Sequence, residues 1–486
     1  MRVRRLACLP LVLICLVVVP SRDCAAQTAD VRSSLTALRD SLVGEEAFAL
    51  PGVLPAAERA RTEDPRDAYR RLRLGFIELR LGEVKNERDL VDKATGEFDR
   101  ATKLQPEWPW AWYGLGLARA ARGEGRILGI ENIRQWLNTD HLSGAATAFR
   151  RAGELDAGFS PAAVALANVT LAQRIRPDLR DARAALVAAE SLGTRDPSVP
   201  LARGRVEREL GDVEASRAAL ERALAAGGDS GVTLFELART QYLAGRRTDG
   251  YNNYFSGAGE AISPQAVALY RRDIAWIASP AELTAFDGIA SSAERVLWLR
   301  EFWRSRDRVE GWPEGARLAE HNRRWLFALE HYRLVSAHRK YNDIADRYRN
   351  VLGDLDDRGV VYMRHGKPDA IASYQHLDPN ESWRYERAGG AFIVHFVTRG
   401  HVSDYKLIES LLDVFGAGQA LSLAANPDSA PPVAAVELFQ SRSSFSPMYD
   451  RLWTARGSRP QLLVAERDLG RRGIAIATTT DSYPRQ

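Results

Sequence analysis

The chain has 486 residues, 45% of them hydrophobic and 27% charged, with 67 basic against 63 acidic side chains. That length fits two or three domains, and the composition is that of packed globular protein rather than a disordered tail. A formal charge of only +4 gives no electrostatic case for a nucleic-acid partner.

At the N-terminus, Arg2, Arg4 and Arg5 precede an apolar run from Leu6 to Pro20, followed by Cys24-Ala25-Ala26 and Gln27. This is the pattern of a secretory signal cut after Ala26, so residues 1–26 are expected to be a signal peptide. The run is about 15 residues, short of the roughly 20 that a spanning helix needs, and Pro10 interrupts it. Ser21-Arg22-Asp23 lacks the small apolar residues expected before a lipid-attachment cysteine. Cys8, Cys15 and Cys24 all lie in this segment, so its removal leaves no thiol and excludes disulfides, thiolate nucleophiles and cysteine metal sites together. Four Arg and one Asp leave with it, which lowers the formal charge from +4 to +1. The expected location is the periplasm or the exterior of a bacterial cell.

Residues 27–66 read as a leader helix, Val31 to Leu42, and a Pro-containing connection around Leu50-Pro51-Gly52 and Leu54-Pro55. Helical pairs are expected over 67–264. Phe98, Ala101 and Pro106 close one pair, and Trp112, Leu115 and Gly116 open the next. Ala145, Phe149 and Ala152 complete it after an insert from Gly123 to Asp140 that contains the amphipathic piece Ile130 to Leu137.

Three uninterrupted units follow, 163–196, 197–230 and 231–264, marked by four combs 34 residues apart. Thr170, Gly204 and Ala238 form one; Ala182, Ser216 and Gly250 another; Ala189, Ala223 and Gly257 a third. These hold small residues only, whereas Leu186, Leu220 and Tyr254 hold large ones. Small side chains facing one knob allow close approach of two helices, and the array resembles tetratricopeptide repeats. The resemblance implies a solenoid that binds a protein or peptide in its groove.

Within this array Trp108, Trp110 and Trp112 cannot all point into a core, because residues two apart on a helix face different sides. Trp112 is expected in the core slot, which leaves Trp108 or Trp110 either packed against the 124–140 insert, the bland reading, or on the concave side as a partner anchor.

After a connecting helix over 265–291, residues 292–412 change character. Helices are expected at Leu297 to Arg306, Leu318 to Tyr332 and Tyr341 to Val351. A strand is expected at Gly359 to Arg364, then a turn at His365 to Asp369, then strands at Ser382 to Glu386 and Ala391 to Val397 joined at Gly389-Gly390. Residues 413–486 read as a linker near Asn426 to Val433, a helix at Met448 to Thr454 and a strand at Gly473 to Thr479. One such strand cannot bury itself, which suggests a small or incomplete terminal module. The expected fold class is mainly α: a tetratricopeptide-like helical solenoid followed by an α+β module with a small antiparallel sheet.

Phe302-Trp303-x3-Asp307, the run Gly353-Asp354-Leu355-Asp356-Asp357-Arg358-Gly359, Gly366-Lys367-Pro368-Asp369 and Glu381-x-Trp383-x-Tyr385 keep an order and spacing that resembles the GWxTD domain of bacterial exported proteins. Of the naming motif, Gly353, Asp357, Arg358 and Gly359 remain in place, but Asp354 and Asp356 stand where that motif has Trp and Thr. The resemblance implies an architecture rather than a chemistry, with Gly366, Pro368, Asp369, Glu381, Trp383 and Tyr385 as its other marked residues.

No catalytic, cofactor or metal site is expected. Asp354-x-Asp356-x2-Gly359 begins like a calcium loop, then places Arg358 and His365 where oxygen ligands belong; the bland reading is a solvated corner pairing with Arg358 or Arg364. The eight histidines show no ligand spacing, and neither a phosphate cradle nor a Gly-x-Ser-x-Gly elbow is present. Two function classes remain open: an exported scaffold binding a protein or peptide through its groove, or an envelope enzyme or sugar-binding protein using the GWxTD-like module.

Overall fold

A computed structural model describes residues 50–123, 141–173, 177–334, 354–387, 389–399, 402–425, 431–454 and 459–479. The signal peptide, the leader helix, the 124–140 part of the insert, the helix at 341–351, Gly353 and the 426–430 part of the linker lie outside the described residues.

Up to Leu104 the chain forms one compact unit, described over three helices: α1 (Leu50–Glu63), α2 (Ala68–Lys85) and α3 (Arg88–Leu104). The expected Pro-containing connection at 50–55 is instead the start of α1. Pro51 falls in its first turn, where a missing N–H leaves no bond unmade, and Pro55 is carried inside the helix. Asp67 caps α2 by accepting from the Tyr69 and Arg70 amides. In the α2–α3 hairpin the ring of Phe98 sits where a Cβ on Gly75 would lie, 2.9 Å from it, so the glycine is the hole for that knob.

The second unit begins at Gln105. Its repeats are the hairpins α4 (Pro109–Gly123) with α5 (His141–Leu155), α6 (Ser160–Ala172) with α7 (Leu179–Ser191), α8 (Ser198–Glu209) with α9 (Val213–Ala225), and α10 (Ser230–Leu243) with α11 (Arg247–Gly259). Every comb residue is buried. A small residue of the first helix faces a knob on the second: a Cβ on Gly204 would lie 2.5 Å from Leu220, 16 positions on, and one on Gly116 2.4 Å from Phe149, on the far side of the insert. Asp178, Asp212 and Asp229 cap α7, α9 and α10 with side-chain oxygens. Gly211 and Gly245 end α8 and α10 with positive φ, 84° and 72°, a 34-residue echo in the turns.

The connection over 265–291 is two helices, α12 (Pro264–Ala275) and α13 (Pro280–Asp287), each with Pro in its first turn and a capping serine, Ser263 and Ser279. Then come α14 (Ser292–Glu310), α15 (Ala316–His331) and α16 (Asp357–His365). The last replaces the expected strand. Asp356 accepts from the Gly359 amide and starts a helix, and a short apolar run such as Val360 to Met363 does not by periodicity distinguish strand from helix.

Four antiparallel strands follow in sequential order: β1 (Ala370–Ser373), β2 (Asn380–Tyr385), β3 (Phe392–Arg399) and β4 (Val402–Ile408). Ile371 pairs with Trp383, Trp383 with Val394 and His395 with Ile408. One face, with Trp383, Tyr385, Val394, Phe396 and Leu407, belongs to a core that runs without a break through Trp325 and Trp303 to Tyr254 and Phe235 of the last repeat. The other face, Ile393, Val397 and Ile408, is covered by a 3-10 turn (Leu411–Phe415) and by α17 (Ala417–Ala425), α18 (Val433–Gln440), α19 (Met448–Thr454) and α20 (Arg459–Thr479).

The expected terminal strand at Gly473 to Thr479 is thus the end of α20. Its residues Leu463, Glu466, Gly470, Gly473, Ile474 and Ala477 are buried at helical spacing. The two glycines let helix backbone rest on sheet backbone: a Cβ on Gly473 would lie 1.8 Å from the Ile393 carbonyl oxygen, and one on Gly470 2.0 Å from that of Glu409. The ground for calling the terminal module small or incomplete, an unpaired strand, falls away with it. Among the described residues no helix is long and apolar enough to cross a membrane.

Candidate functional site: a repeat groove and the module seated in it

The first helices of successive repeats make the inner layer of a tetratricopeptide-like solenoid. At one position per repeat they present Leu171, Arg205, Arg239 and Asp273, again 34 residues apart. The groove lined by these side chains is not empty. Helix α15 lies against α10 and brings Trp325 to Arg239, whose guanidinium carbon is 3.7 Å from the indole centroid and 4.4 Å from that of Phe235. His321, on the same helix, reaches Asp273 with Nε2 3.2 Å from Oδ1. Arg239 donates to that oxygen at 3.1 Å, and the Tyr254 hydroxyl donates to Oδ2 at 3.1 Å.

This cluster is sealed, with His321 at 0% and Asp273 at 2% exposure. Burial alone would raise the Asp273 pKa, but His321 and Arg239 outweigh it and hold the group low. Burial also depresses the His321 pKa, against the opposing pull of Asp273. Next to it, burial of Glu236 is overcome by Arg205, Arg208 and Arg239, which bring its pKa down to about 2. A cavity of about 240 Å³ remains between Leu171, Arg205, Trp276, Trp325 and Asp354.

At the tryptophan cluster the structure corrects the expectation. Trp110 is 2% exposed, tilted against Phe159 at 4.8 Å and edge-on to Tyr113 at 5.8 Å; it fills the core and is no anchor. Trp112, expected in that slot, is half-buried and donates its indole N–H to the Pro106 carbonyl at 2.8 Å. Trp108 is half-buried just ahead of α4.

Of the residues marked by the GWxTD resemblance, Asp357, Arg358, Gly359, Glu381 and Trp383 lie at one corner, around Asp356. Arg358 donates to Asp356 Oδ2 at 2.8 Å and to Glu381 Oε1 at 2.9 Å, and its guanidinium lies 3.6 Å from the Tyr405 ring centroid. Glu381 also accepts the indole N–H of Trp383 at 2.8 Å. Asp356 accepts the Tyr405 amide and Asp357 the Leu407 amide, so both tie α16 to β4. The corner is therefore not solvated as expected: Asp356 is 2% exposed, and burial, opposed by Arg358 and two amides, lifts its pKa to about 6. Asp354 stands apart and pairs with Arg272 of α12 at 2.5 Å.

Gly366 ends α16 with φ +74°, a conformation open to glycine. Its carbonyl accepts from Tyr385, while Asp369 accepts the Glu386 amide and pairs with Arg387. Pro368 lines, with Lys367, a second cavity of about 620 Å³ between α15, α16 and β1.

Two buried clusters escaped the sequence reading. Ser382 Oγ is 2.7 Å from His395 Nδ1, and the Tyr449 hydroxyl is 3.0 Å from Nε2. The spacing suits a nucleophile and base, yet both residues are 0% exposed and line neither cavity. Burial and the nearby Arg442 charge drop the His395 pKa to about 3, and the group serves to join β2 and β3 to α19. Glu466 of α20 is likewise 0% exposed, accepting from Ser410 Oγ at 2.5 Å and the Leu411 amide at 2.9 Å. Nothing in sequence spacing marks either cluster; only the groove row Leu171, Arg205, Arg239 and Asp273 was available as a signal.

No protein-family model and no curated protein matches the chain. Among solved structures it is similar to the APC/C hetero-tetramer Cut9–Hcn1, with 15% identity over 49% of this chain and a TM-score of 0.35; the match spans 41% of that chain, less than half its length. A thermophilic tetratricopeptide-repeat protein of Thermus thermophilus is 22% identical over 40% of this chain and 94% of its own, with a TM-score of 0.29. PilW, a widely conserved type IV pilus biogenesis factor, is 19% identical over 51% of this chain and 98% of its own, with a TM-score of 0.30. Scores this low carry no argument about role, so the helical-repeat assignment rests on the hairpins themselves: the chain carries a tetratricopeptide-like solenoid with an α+β module seated in its last repeats.

Proposed function

We propose that this chain is an exported protein-interaction scaffold of the bacterial cell envelope, which holds a GWxTD-like module in cis at one end of its groove and a protein or peptide partner along the rest. The observation that carries this reading is the seating of α15: an amphipathic helix lies on the inner layer through Trp325 and His321, which is the helix-in-groove mode of recognition. The partner would lie on the inner faces of α4, α6 and α8, where Leu171 and Arg205 border the seated module. Resemblance to the GWxTD domain and the signal-like N-terminus support export.

A photo-cross-linking amino acid at Leu171, compared with one at the exposed Glu221 of α9, tests the groove in living cells. A discrete protein adduct from position 171 and none from 221 is expected. Identical patterns, or no adduct at 171, would remove the partner from the groove. Export is tested by N-terminal sequencing of the protein from the envelope fraction: Gln27 is expected as the first residue, and Met1 would contradict it.

A further inference from the structure

The unit that ends at Leu104 keeps a carboxyl group in its interior that none of its cations serves. Glu78, in the middle of α2, is 4% exposed, and its Oε2 is buried with no hydrogen-bond partner among the described residues. It shares one face of α2 with Gly75 and Gly82, both tight contacts with α3: a Cβ on Gly75 would lie 2.9 Å from Phe98, and one on Gly82 2.8 Å from Val91. The acid therefore sits in the seam of the hairpin, between two close approaches.

The charged groups facing it are Lys93 and Glu97 from α3 and Glu58 and Arg61 from α1. Lys93 is exposed. The arginines turn to Glu97 instead: Arg71 at 2.6 Å, Arg100 at 3.4 Å and Arg61 at 3.7 Å. A buried carboxylate left without a counter-charge takes a proton. Burial first, then Glu97 and Glu58, raise the Glu78 pKa to about 7, against the pull of Lys93 and Arg61.

Packing decides which element yields when that proton leaves. The α2–α3 hairpin is locked by its glycine contacts, whereas residues 51–63 of α1 include no fully buried side chain. Pro55 also removes a backbone bond from inside α1. Polar contacts hold it: Arg70 donates to the Ala60 carbonyl at 2.7 Å and pairs with Glu63 at 3.2 Å, and Arg61 reaches Glu97.

We infer that α1 is a proton-operated clasp, seated on the α2–α3 hairpin while Glu78 is protonated and released when Glu78 ionises. Release uncovers the side of the hairpin beneath α1. The seated arrangement prefers the neutral acid, a contribution complete below the usual 4.5 and lost as pH rises through about 7. The device belongs to the first unit alone and does not depend on what the repeat groove binds.

Hydrogen exchange of the intact chain at pH 5, 6, 7 and 8, corrected for the intrinsic rate at each pH, tests it. Protection of the α1 amides from Ala56 to Thr62 is expected to fall at least about tenfold between pH 5 and pH 8, while α2 from Leu72 to Leu81 and α3 from Ala94 to Ala101 keep theirs. In Glu78→Gln, which keeps the shape without the charge, α1 protection is expected not to change with pH; Glu78→Met replaces that variant if melting curves show it unfolded. Unprotected α1 amides at pH 5, a flat profile in the parent chain, an equal loss in all three helices, or the same fall in the folded variant would overturn the proposal.

Discussion

Arg239 lies on the indole of Trp325, with its guanidinium carbon 3.7 Å from the ring centroid and one nitrogen 3.1 Å from Asp273. A repeat residue, a module residue and the first helix after the repeats are thereby fixed by one side chain. The core running from Phe235 through Trp303 and Trp325 to Trp383 follows from it, and the last repeat and the module should unfold together rather than as separate domains.

Trp325→Ala should therefore cost about 3 to 5 kcal/mol, the usual range for emptying a buried aromatic site, and should open the module and the last repeat at once. Urea unfolding followed by limited proteolysis checks this. Cleavage confined to the module, with α10 and α11 still protected, would show that the two are not coupled.

Gly473→Ala should be far more damaging than an ordinary helix glycine substitution. Its Cβ would fall 1.8 Å from the Ile393 carbonyl oxygen, so α20 must lift off the sheet; a loss of at least about 3 kcal/mol is expected. Gly96→Ala is the control, since nothing lies within 4 Å of its Cβ and the position is exposed in mid-helix. It should gain about 1 kcal/mol. Denaturant midpoints of the two variants compare them directly.

Glu466 gives a pH dependence with a definite sign. Burial, only partly offset by Ser410 and the Leu411 amide, raises its folded pKa from the usual 4.5 to about 7. The folded state thus prefers the neutral acid, a contribution present below pH 4.5 and lost as pH rises through about 7. Glu466→Gln keeps the shape without the charge, so its stability relative to the parent chain should rise between pH 5 and pH 8, by at most about 3 kcal/mol. A difference that does not change with pH would mean that the carboxyl ionises freely in place.

Arg358→Ala would leave Asp356, which is 2% exposed, without its counter-charge and remove the cationic partner of Glu381. Breaking one side of a buried pair costs about 3 to 5 kcal/mol. Pairing it with Asp356→Asn should recover part of the loss; a double variant as unstable as the sum of the two singles would mean that the corner is not energetically linked.

Much of the architecture was legible because it is periodic. The 34-residue combs located the hairpins, and Gly204 opposite Leu220 is the contact they imply. What misled was local: Val360 to Met363 and the Gly473 to Thr479 segment are short apolar or β-branched runs, and tertiary context set both as helix. Trp110 and Trp112 exchanged roles because the motif order does not say which of two residues turns inward. The seating of α15 was not readable at all, since Trp325 and His321 carry only an amphipathic pattern and no sign of what covers it. Arg358, Asp357 and Glu381 were singled out by resemblance; Arg358 bridges Asp356 and Glu381, and Asp357 ties α16 to β4.

Hydrogen exchange of the intact chain measures the central relationship most directly, the helix seated in its own groove. Amides of α15 from Leu318 to Ala328 are expected to exchange in the same slow class as those of α10 from Val232 to Gln241, with both released together in Trp325→Ala. If α15 exchanged orders of magnitude faster than α10 in the parent chain, the module would not be held by the repeats, and the groove would have no resident helix to support its assignment.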